Sequence, residues 1–472
     1  MALLSMMAAS CFLFPDLNPL DPFDTLEEGF FYAKNTLTGG FYKLQADKLC
    51  EDDKCEIWAE KGSGVTITEA ENIAREYRDK IRPMIVQTFG SEFDNGQDIL
   101  DYANQLAGRD NGKLTILLLD IRDGFSNGRS DSYTAGYFYP GNFQPAGKIN
   151  NNNFSNGRDM IYVDTYPGLR LWKEQAYATF AHELQHLVNY VISKRLGKGD
   201  MDVWVNEGLS AHAEYMYLGE NPEDKCKWFN EDPNTTIGKG NNFFVWGNHS
   251  EVPSAIMDDY ATVYLFFRWL YLQADVDLQP RIFREIIHSD YSDYRAVTSV
   301  AAQINPAWSS WEVLLRTWFA ANYFPRNAIY GYKGDNYLQY GRTDSWYKGV
   351  QVRPIEGLTV PLYPGEGVYS VINNFYNANQ MGNIRYAGLV TGNTGVINTS
   401  PPYSGNVLLT FNANSNKSAE RETGSLTGIS PSITVPRTAE ENARPAERTR
   451  PFVIDAADRW GRDQDMPILL PR

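Results

Sequence analysis

The sequence predicts an α+β fold built in successive parts, and three observations predict it. Short apolar runs such as KLTILLLDIRDG (113–124) and MIYVDT (160–165) accompany one amphipathic helix within the first 170 residues. From about 171 to 325 the apolar spacing turns mainly helical. After about 351, segments such as GVYSVINNF, IRYAGLVTGN and NVLLTFNA are separated by Gly, Asn and Pro, the pattern of a small all-β unit. The expected layout is a leader and linker (1–26), an N-terminal sheet-and-helix part (27–170), a helical lobe (171–350), a small β domain (351–412) and a tail (413–472). The tail is rich in Ser, Thr, Glu, Arg and Pro and reads as disordered.

Composition supports this layout and removes some functions. A length of 472 residues suits two or three domains, and 43% hydrophobic with 21% charged residues is a globular balance. Lys+Arg 43 against Asp+Glu 58 gives a net charge of −15 with no basic stripe. Nucleic acid is therefore not an expected partner, because phosphate binding needs clustered positive charge. No uninterrupted run of 18 apolar residues is present to span a membrane as a helix. A monomer is expected.

The elements follow in order. MALLSMMAASCFLF is a short apolar segment with no Lys or Arg before it. Ala8-Ala9-Ser10 leading into Cys11 is similar to a bacterial lipoprotein processing site, with Ala8 where Leu is usual, so Cys11 is a candidate lipid anchor. A plain secretory leader or a misplaced start codon are the alternatives. Either export reading places the chain outside the cytoplasm, secreted or held at a bacterial cell envelope. In that setting Cys50 and Cys55 of CEDDKC are expected to form a disulfide across a turn, leaving Cys226 as a free thiol. TITEAENIAREYRDKIRPMIVQTFG (66–90) reads as a helix with Thr68 as cap and an apolar stripe through Ile73, Tyr77, Ile81 and Ile85. KLTILLLD reads as a buried strand and MIYVDT as another, with a Gly-, Asn- and aromatic-rich loop around YTAGYFYPGNF between them. AIMDDYATVYLFFRWLYLQAD (255–275), capped by Ser254, and PAWSSWEVLLRTWFAANYF (306–324) complete the helical lobe.

Three of the five His fall between 182 and 212. His182-Glu183-Leu184-Gln185-His186 is an HExxH on a helix. Its imidazoles stand about 40° apart around the axis, so both can reach one metal ion. Glu183 lies about 100° round from His182, beside such an ion and placed to take a proton from an activated water. Gly197 and Gly199 end this helix and Asp202 can cap the next, on which Glu207 follows His186 by 21 residues. An antiparallel return brings its carboxylate to the two His, giving three protein ligands and an open position. Glu214, seven residues on and about 20° from the same face, can accept the N–H of a ligating His.

HELQH followed by WVNEGLSAHAE resembles the gluzincin clan of zinc peptidases. The wider pattern resembles the bacterial hyicolysin-type metallopeptidases over about residues 40–275, through ILLLDIRDG, the GYFYP loop, MIYVD, the HELQH helix and YATVYLFFRWL. The resemblance implies a gluzincin-like fold, one catalytic Zn2+ held by His182, His186 and Glu207, Glu183 as general base, and protein or peptide substrates. Thermolysin-type enzymes keep the supporting acid as an Asp four residues after the ligand, where this chain has Ala211, so Glu214 looks more aminopeptidase-like. No Gly-x-Met-Glu-Asn segment lies upstream to hold a free amine, and an endopeptidase is expected. Tyr260, 53 residues past Glu207, resembles the downstream Tyr of gluzincins and is the candidate oxyanion donor, with Tyr264, then His249 or His288, in reserve. For His212 packing or rim polarity is expected. The extended substrate is expected on an exposed strand edge, with MIYVDT as candidate. An aminopeptidase-like exopeptidase and an inactive surface binding protein on the same fold remain the alternatives.

Overall fold

A computed structural model describes residues 26–453 except 91–96, 127–131, 151, 233–236, 238–239, 241–243, 247–255, 326–328, 334, 336–337, 339–349, 351, 353–358, 373–374, 378–379, 391–394, 417–421 and 426–451. Cys11, His249 and Ser254 lie outside the described residues.

The N-terminal part is a six-stranded mixed sheet against helices. Its strands are β1 (Phe30–Lys34), β2 (Phe41–Glu51) and β3 (Cys55–Glu60), then α1 (Ile67–Glu76), α2 (Arg82–Phe89), α3 (Ile99–Leu106) and β4 (Leu114–Leu119). After these come β5 (Ser132–Tyr133), β6 (Gly136–Phe138), a small hairpin of β7 (Gly147–Lys148) and β8 (Phe154–Ser155), and β9 (Met160–Asp164). The sheet order is β1-β2-β3-β4-β9-β6, with β3, β4 and β9 parallel and the other neighbours antiparallel. Both faces of β4 are covered, which is why it reads as an unbroken apolar run. Leu114, Ile116 and Leu118 enter the core under the helices, while Leu117 and Leu119 join Phe31, Trp58, Tyr137 and Tyr162 on the other side.

Three expectations need correction here. MIYVDT is not an edge: β9 is fully buried and bonded on one side to β4 and on the other to β6. The edge is β6, a three-residue strand inside the stretch that reads as loop. The cap of α1 is Thr66, whose Oγ1 accepts the N–H of Glu69 while the Glu69 carboxylate accepts that of Thr66. Cys50 and Cys55 are separate thiols. A register shift between Lys48 and Cys50 sets Cys50 opposite Ile57, while Cys55 is buried at the start of β3 beside Leu114.

Helices follow: α4 (Lys173–Arg195), α5 (Val203–Leu218), α6 (Glu223–Glu231), α7 (Ile256–Gln273), α8 (Ile282–His288), α9 (Tyr294–Ile304) and α10 (Trp311–Tyr323). Helix α4 is buried along most of its length, so it is a core element rather than an amphipathic surface helix. Gly197, at φ +64, ends the turn after α4 and lets the chain return as α5. Gly208 serves packing instead. A Cβ there would fall inside the Phe267 ring, so its absence lets α7 pack directly behind α5.

Beyond these lie β10 (Thr359–Leu362), β11 (Gly367–Val371), β12 (Phe375–Tyr376), β13 (Ile384–Val390), β14 (Val396–Asn398), β15 (Tyr403–Ser404), β16 (Val407–Asn412), β17 (Glu422–Ser425) and β18 (Phe452–Val453). The order β11-β16-β13-β14 forms a four-stranded antiparallel sheet, packed on α10 through Phe319, Tyr369 and Phe411. Within the expected tail, β17 pairs with β10 and β18 pairs with β5.

Candidate metal centre

Helices α4 and α5 run antiparallel, and side-chain contacts record the pairing level by level. Asn189 meets Asn206, His186 meets Glu207 and Ser210, and His182 meets Glu207 and Glu214. As α5 advances, its partners step back along α4.

The result is a buried group of His182, His186 and Glu207, the group among the described residues whose ligand atoms lie within 4.8 Å of one another. His182 Nε2 lies 3.3 Å from Glu207 Oε2, and His186 Nε2 lies 3.5 Å from Glu207 Oε1. A tetrahedral ion with bonds of about 2.0–2.1 Å sets its ligands about 3.3 Å apart, which matches these spacings. Glu207 Oε2 is buried and makes no hydrogen bond to the protein, and the donor set is the N,N,O type that zinc accepts.

Each ring is held from behind. His182 Nδ1 is 2.7 Å from Glu214 Oε1, and His186 Nδ1 is 3.0 Å from Ser210 Oγ. With both Nδ1 atoms carrying the proton, each Nε2 keeps its lone pair toward Glu207. The Ser210 hydroxyl in turn donates its hydrogen bond to the Gln185 side-chain oxygen or the Asn206 carbonyl. Both Glu214 oxygens also accept from Lys225 Nζ of α6, at 3.0 and 2.7 Å. Burial pushes the Glu214 carboxyl up, but the Lys225 charge and the His182 contact outweigh it and hold it below the ordinary range.

The sequence reading singles out Glu207 and Glu214 and misses Ser210 and Lys225. Ser210 is readable, since three residues past Glu207 is the next turn of the same face. Lys225 is not, because nothing in the sequence says that α6 folds back onto Glu214. Replacing Lys225 by Met leaves the buried carboxylate without its counter-charge. Urea unfolding of the metal-free chain should show a loss of about 3–5 kcal/mol, of which Lys225→Arg recovers part. Adding Glu214→Gln should recover most of the remainder; a loss below about 1 kcal/mol for Lys225→Met would show the pair is not a coupled unit.

Glu183 is buried beside edge strand β6: a Cβ on Gly136 would stand 3.2 Å from Glu183 Cγ and 3.1 Å from Thr179 Cγ2. The glycine of YTAGYF thus lets the sheet edge lie close over the HExxH helix. Tyr260 is buried on α7 with its ring edge-on to Trp246 at 5.1 Å. The Tyr264 hydroxyl donates to Asn221 Oδ1, which commits it to the turn after α5. His288 stands apart, on α8 near Phe89 and Lys198, and burial pushes its pKa down to about 4. His212 is fully buried among Tyr215, Tyr271 and Phe283, and burial holds it neutral, so it packs and has no rim exposure.

No family model matches the chain. It is 29% identical over 278 residues to the neutral metalloprotease ShpI of Staphylococcus hyicus, and the match covers 57% of this chain and 57% of that protein. The chain thus spans little more than half the length of this relative. The relative's name and the buried His-His-Glu group point the same way, to a metal site of the kind a metalloprotease uses.

Proposed function

We propose that the protein is a zinc-dependent endopeptidase that hydrolyses peptide bonds of protein substrates outside the cytoplasm, as a hyicolysin-type member of the gluzincins. The observation that carries this reading is the buried His182-His186-Glu207 group, with Glu183 of the same HExxH turn packed against edge strand β6. A purely structural zinc site would close the fourth position with a ligand and has no use for a neighbouring base.

Held by these three residues, a zinc ion would supply a Lewis acid for the scissile carbonyl and lower the pKa of a water. Glu183 takes the proton of the attacking water and delivers it to the leaving amine. Ser210 and Glu214 keep both imidazoles in the tautomer that offers Nε2. The substrate adds as a strand to β6. Tyr264 is engaged by Asn221; Tyr260 is the proposed donor because its position past Glu207 resembles that of the downstream Tyr of gluzincins. Tyr260→Phe should lower kcat about 10- to 100-fold with KM little changed; a kcat within twofold of the parent removes Tyr260 from the mechanism.

Metal content and casein hydrolysis, measured together, test the whole. The expected result is one zinc per chain and hydrolysis stopped by a chelator and restored by zinc. Zinc-loaded protein without hydrolysis favours the binding-protein alternative. Refusal of N-terminally blocked peptides favours an exopeptidase.

A further inference from the structure

A buried ion pair joins Arg268 of α7 to Asp335, with Nε–Oδ2 at 2.8 Å, Nη2–Oδ2 at 2.7 Å and only 5% and 4% of the two residues exposed. Asp335 belongs to the connection between α10 and β10. That connection is tied along α7: Trp269 Nε1 donates to the Tyr330 carbonyl at 2.6 Å and Gln273 Nε2 to the Gly331 carbonyl at 2.8 Å. A buried ion pair gains little over apolar packing of the same volume, and its best-attested use is to fix one arrangement among several. The other contacts of this pair show what it fixes.

The Asp335 carboxylate also accepts from Asn221 Nδ2, at 3.1 and 3.3 Å to its two oxygens. Asn221 is buried in the corner between Gly219, left-handed at φ +75, and Glu223, where α6 begins. Its Oδ1 accepts the Tyr264 hydroxyl, so both ends of the amide are engaged, one by α7 and one by Asp335. Four residues on stands Lys225, whose Nζ reaches the two Glu214 oxygens at 3.0 and 2.7 Å. Glu214 in turn lies 2.7 Å from His182 Nδ1. The Arg268 guanidinium stands 3.9 Å from the ring of Tyr215, the residue next to Glu214. Asp335 therefore bears on Glu214 by two routes, through Asn221 and Lys225 and through Arg268 and Tyr215.

We propose that Asp335 is a positioning residue for the metal centre: by fixing Asn221 and Arg268 it sets the α5–α6 corner at which Lys225 meets Glu214, and so the orientation of the His182 ring. The setting of Lys225 stands on the observed contacts; its consequence for a metal ion rests on the zinc reading of His182, His186 and Glu207. Asp335 is not among the ligand residues, so its loss leaves all three in place and loosens their arrangement. Outer partners of a ligating imidazole typically change metal affinity 10- to 100-fold, and Asp335 lies further out than Glu214, so about three- to tenfold is expected here.

The test is a double-mutant cycle of Asn221 or Asp335 with Lys225. Asp335→Asn strands the buried Arg268 charge; Asn221→Ala leaves that ion pair intact and cuts only the corner from it, so it carries the test should Asp335→Asn fail to fold. In the metal-free chain, the urea midpoint shift caused by Lys225→Met should shrink to less than half in the Asn221→Ala background. Zinc affinity, measured on folded protein by competition with a chromogenic chelator, should fall about three- to tenfold in Asn221→Ala and in Asp335→Asn. Neither change should weaken it further in the Lys225→Met background. A merely structural role lowers the urea midpoint and leaves zinc affinity alone, since an apparent dissociation constant hardly moves while the folded fraction stays near unity. Additive midpoint shifts overturn the positioning of Lys225. Non-additive midpoints with an unchanged zinc affinity overturn the link to the metal. Non-additive midpoints in a parent chain that binds no zinc uphold the setting of Lys225 and tell against the zinc reading instead.

Discussion

Glu183→Gln should retain bound zinc and lose about 10²- to 10⁴-fold in kcat/KM on a peptide substrate, with most of the loss in kcat. The amide has the shape of the carboxylate but cannot take a proton from the attacking water. That difference corresponds to about 3–5 kcal/mol of transition-state stabilisation. Zinc should stay because Glu183 is not among the three residues whose ligand atoms converge. The fold should stay as well, since the side chain lies against the backbone of Gly136 and an amide of equal volume needs no new space. Metal analysis, thermal unfolding and steady-state kinetics on one preparation separate these effects. A variant that cleaves casein at the parent rate would remove Glu183 as the base and leave the mechanism without a proton acceptor.

What can be read in the sequence divides along the range of the forces involved. The metal group is legible because it is set by helical periodicity and one short return: His182 and His186 share a face of α4, and Glu207 and Glu214 share a face of α5. KLTILLLD is legible as a buried strand because covering both faces leaves no polar alternation. The α1 cap is written in the sequence as Thr66-x-x-Glu69, a reciprocal pair that outcompetes the nearby hydroxyl of Thr68. Strand order is another matter. Whether MIYVDT or GYF forms the edge depends on pairing between residues far apart in the chain, and a three-residue strand carries almost no alternation of its own. The cysteine spacing suggests a cross-strand link, but the strand register sets Cys50 opposite Ile57, two residues from Cys55. Lys225 shows the same limit at the site: its importance comes from a buried contact with Glu214 that no local pattern announces.

Glu207→Gln should produce a crossing of stabilities, a stronger signature than loss of activity alone. In the metal-free chain Glu207 is a buried carboxylate with one oxygen lacking any hydrogen bond, on the same His182 ring as the buried acid Glu214, to which Lys225 is already committed. Such a group opposes folding by about 1–3 kcal/mol, and a neutral amide of the same shape relieves part of that. Without metal, the variant should therefore unfold at the same denaturant concentration as the parent or a higher one. With zinc the order should reverse. At a thousandfold excess over its dissociation constant, zinc stabilises the parent by about 4 kcal/mol. If a four-ligand site binds with about 10–16 kcal/mol, one ligand accounts for roughly 3–4, so the variant should bind about 10²- to 10³-fold more weakly. At zinc concentrations that saturate the parent, the variant should then gain little. The experiment belongs at mildly alkaline pH, where an ordinary imidazole is neutral and metal does not compete with protons. Equal gains in parent and variant would place the metal away from residue 207, and the two helices would then be packed for a reason unrelated to hydrolysis.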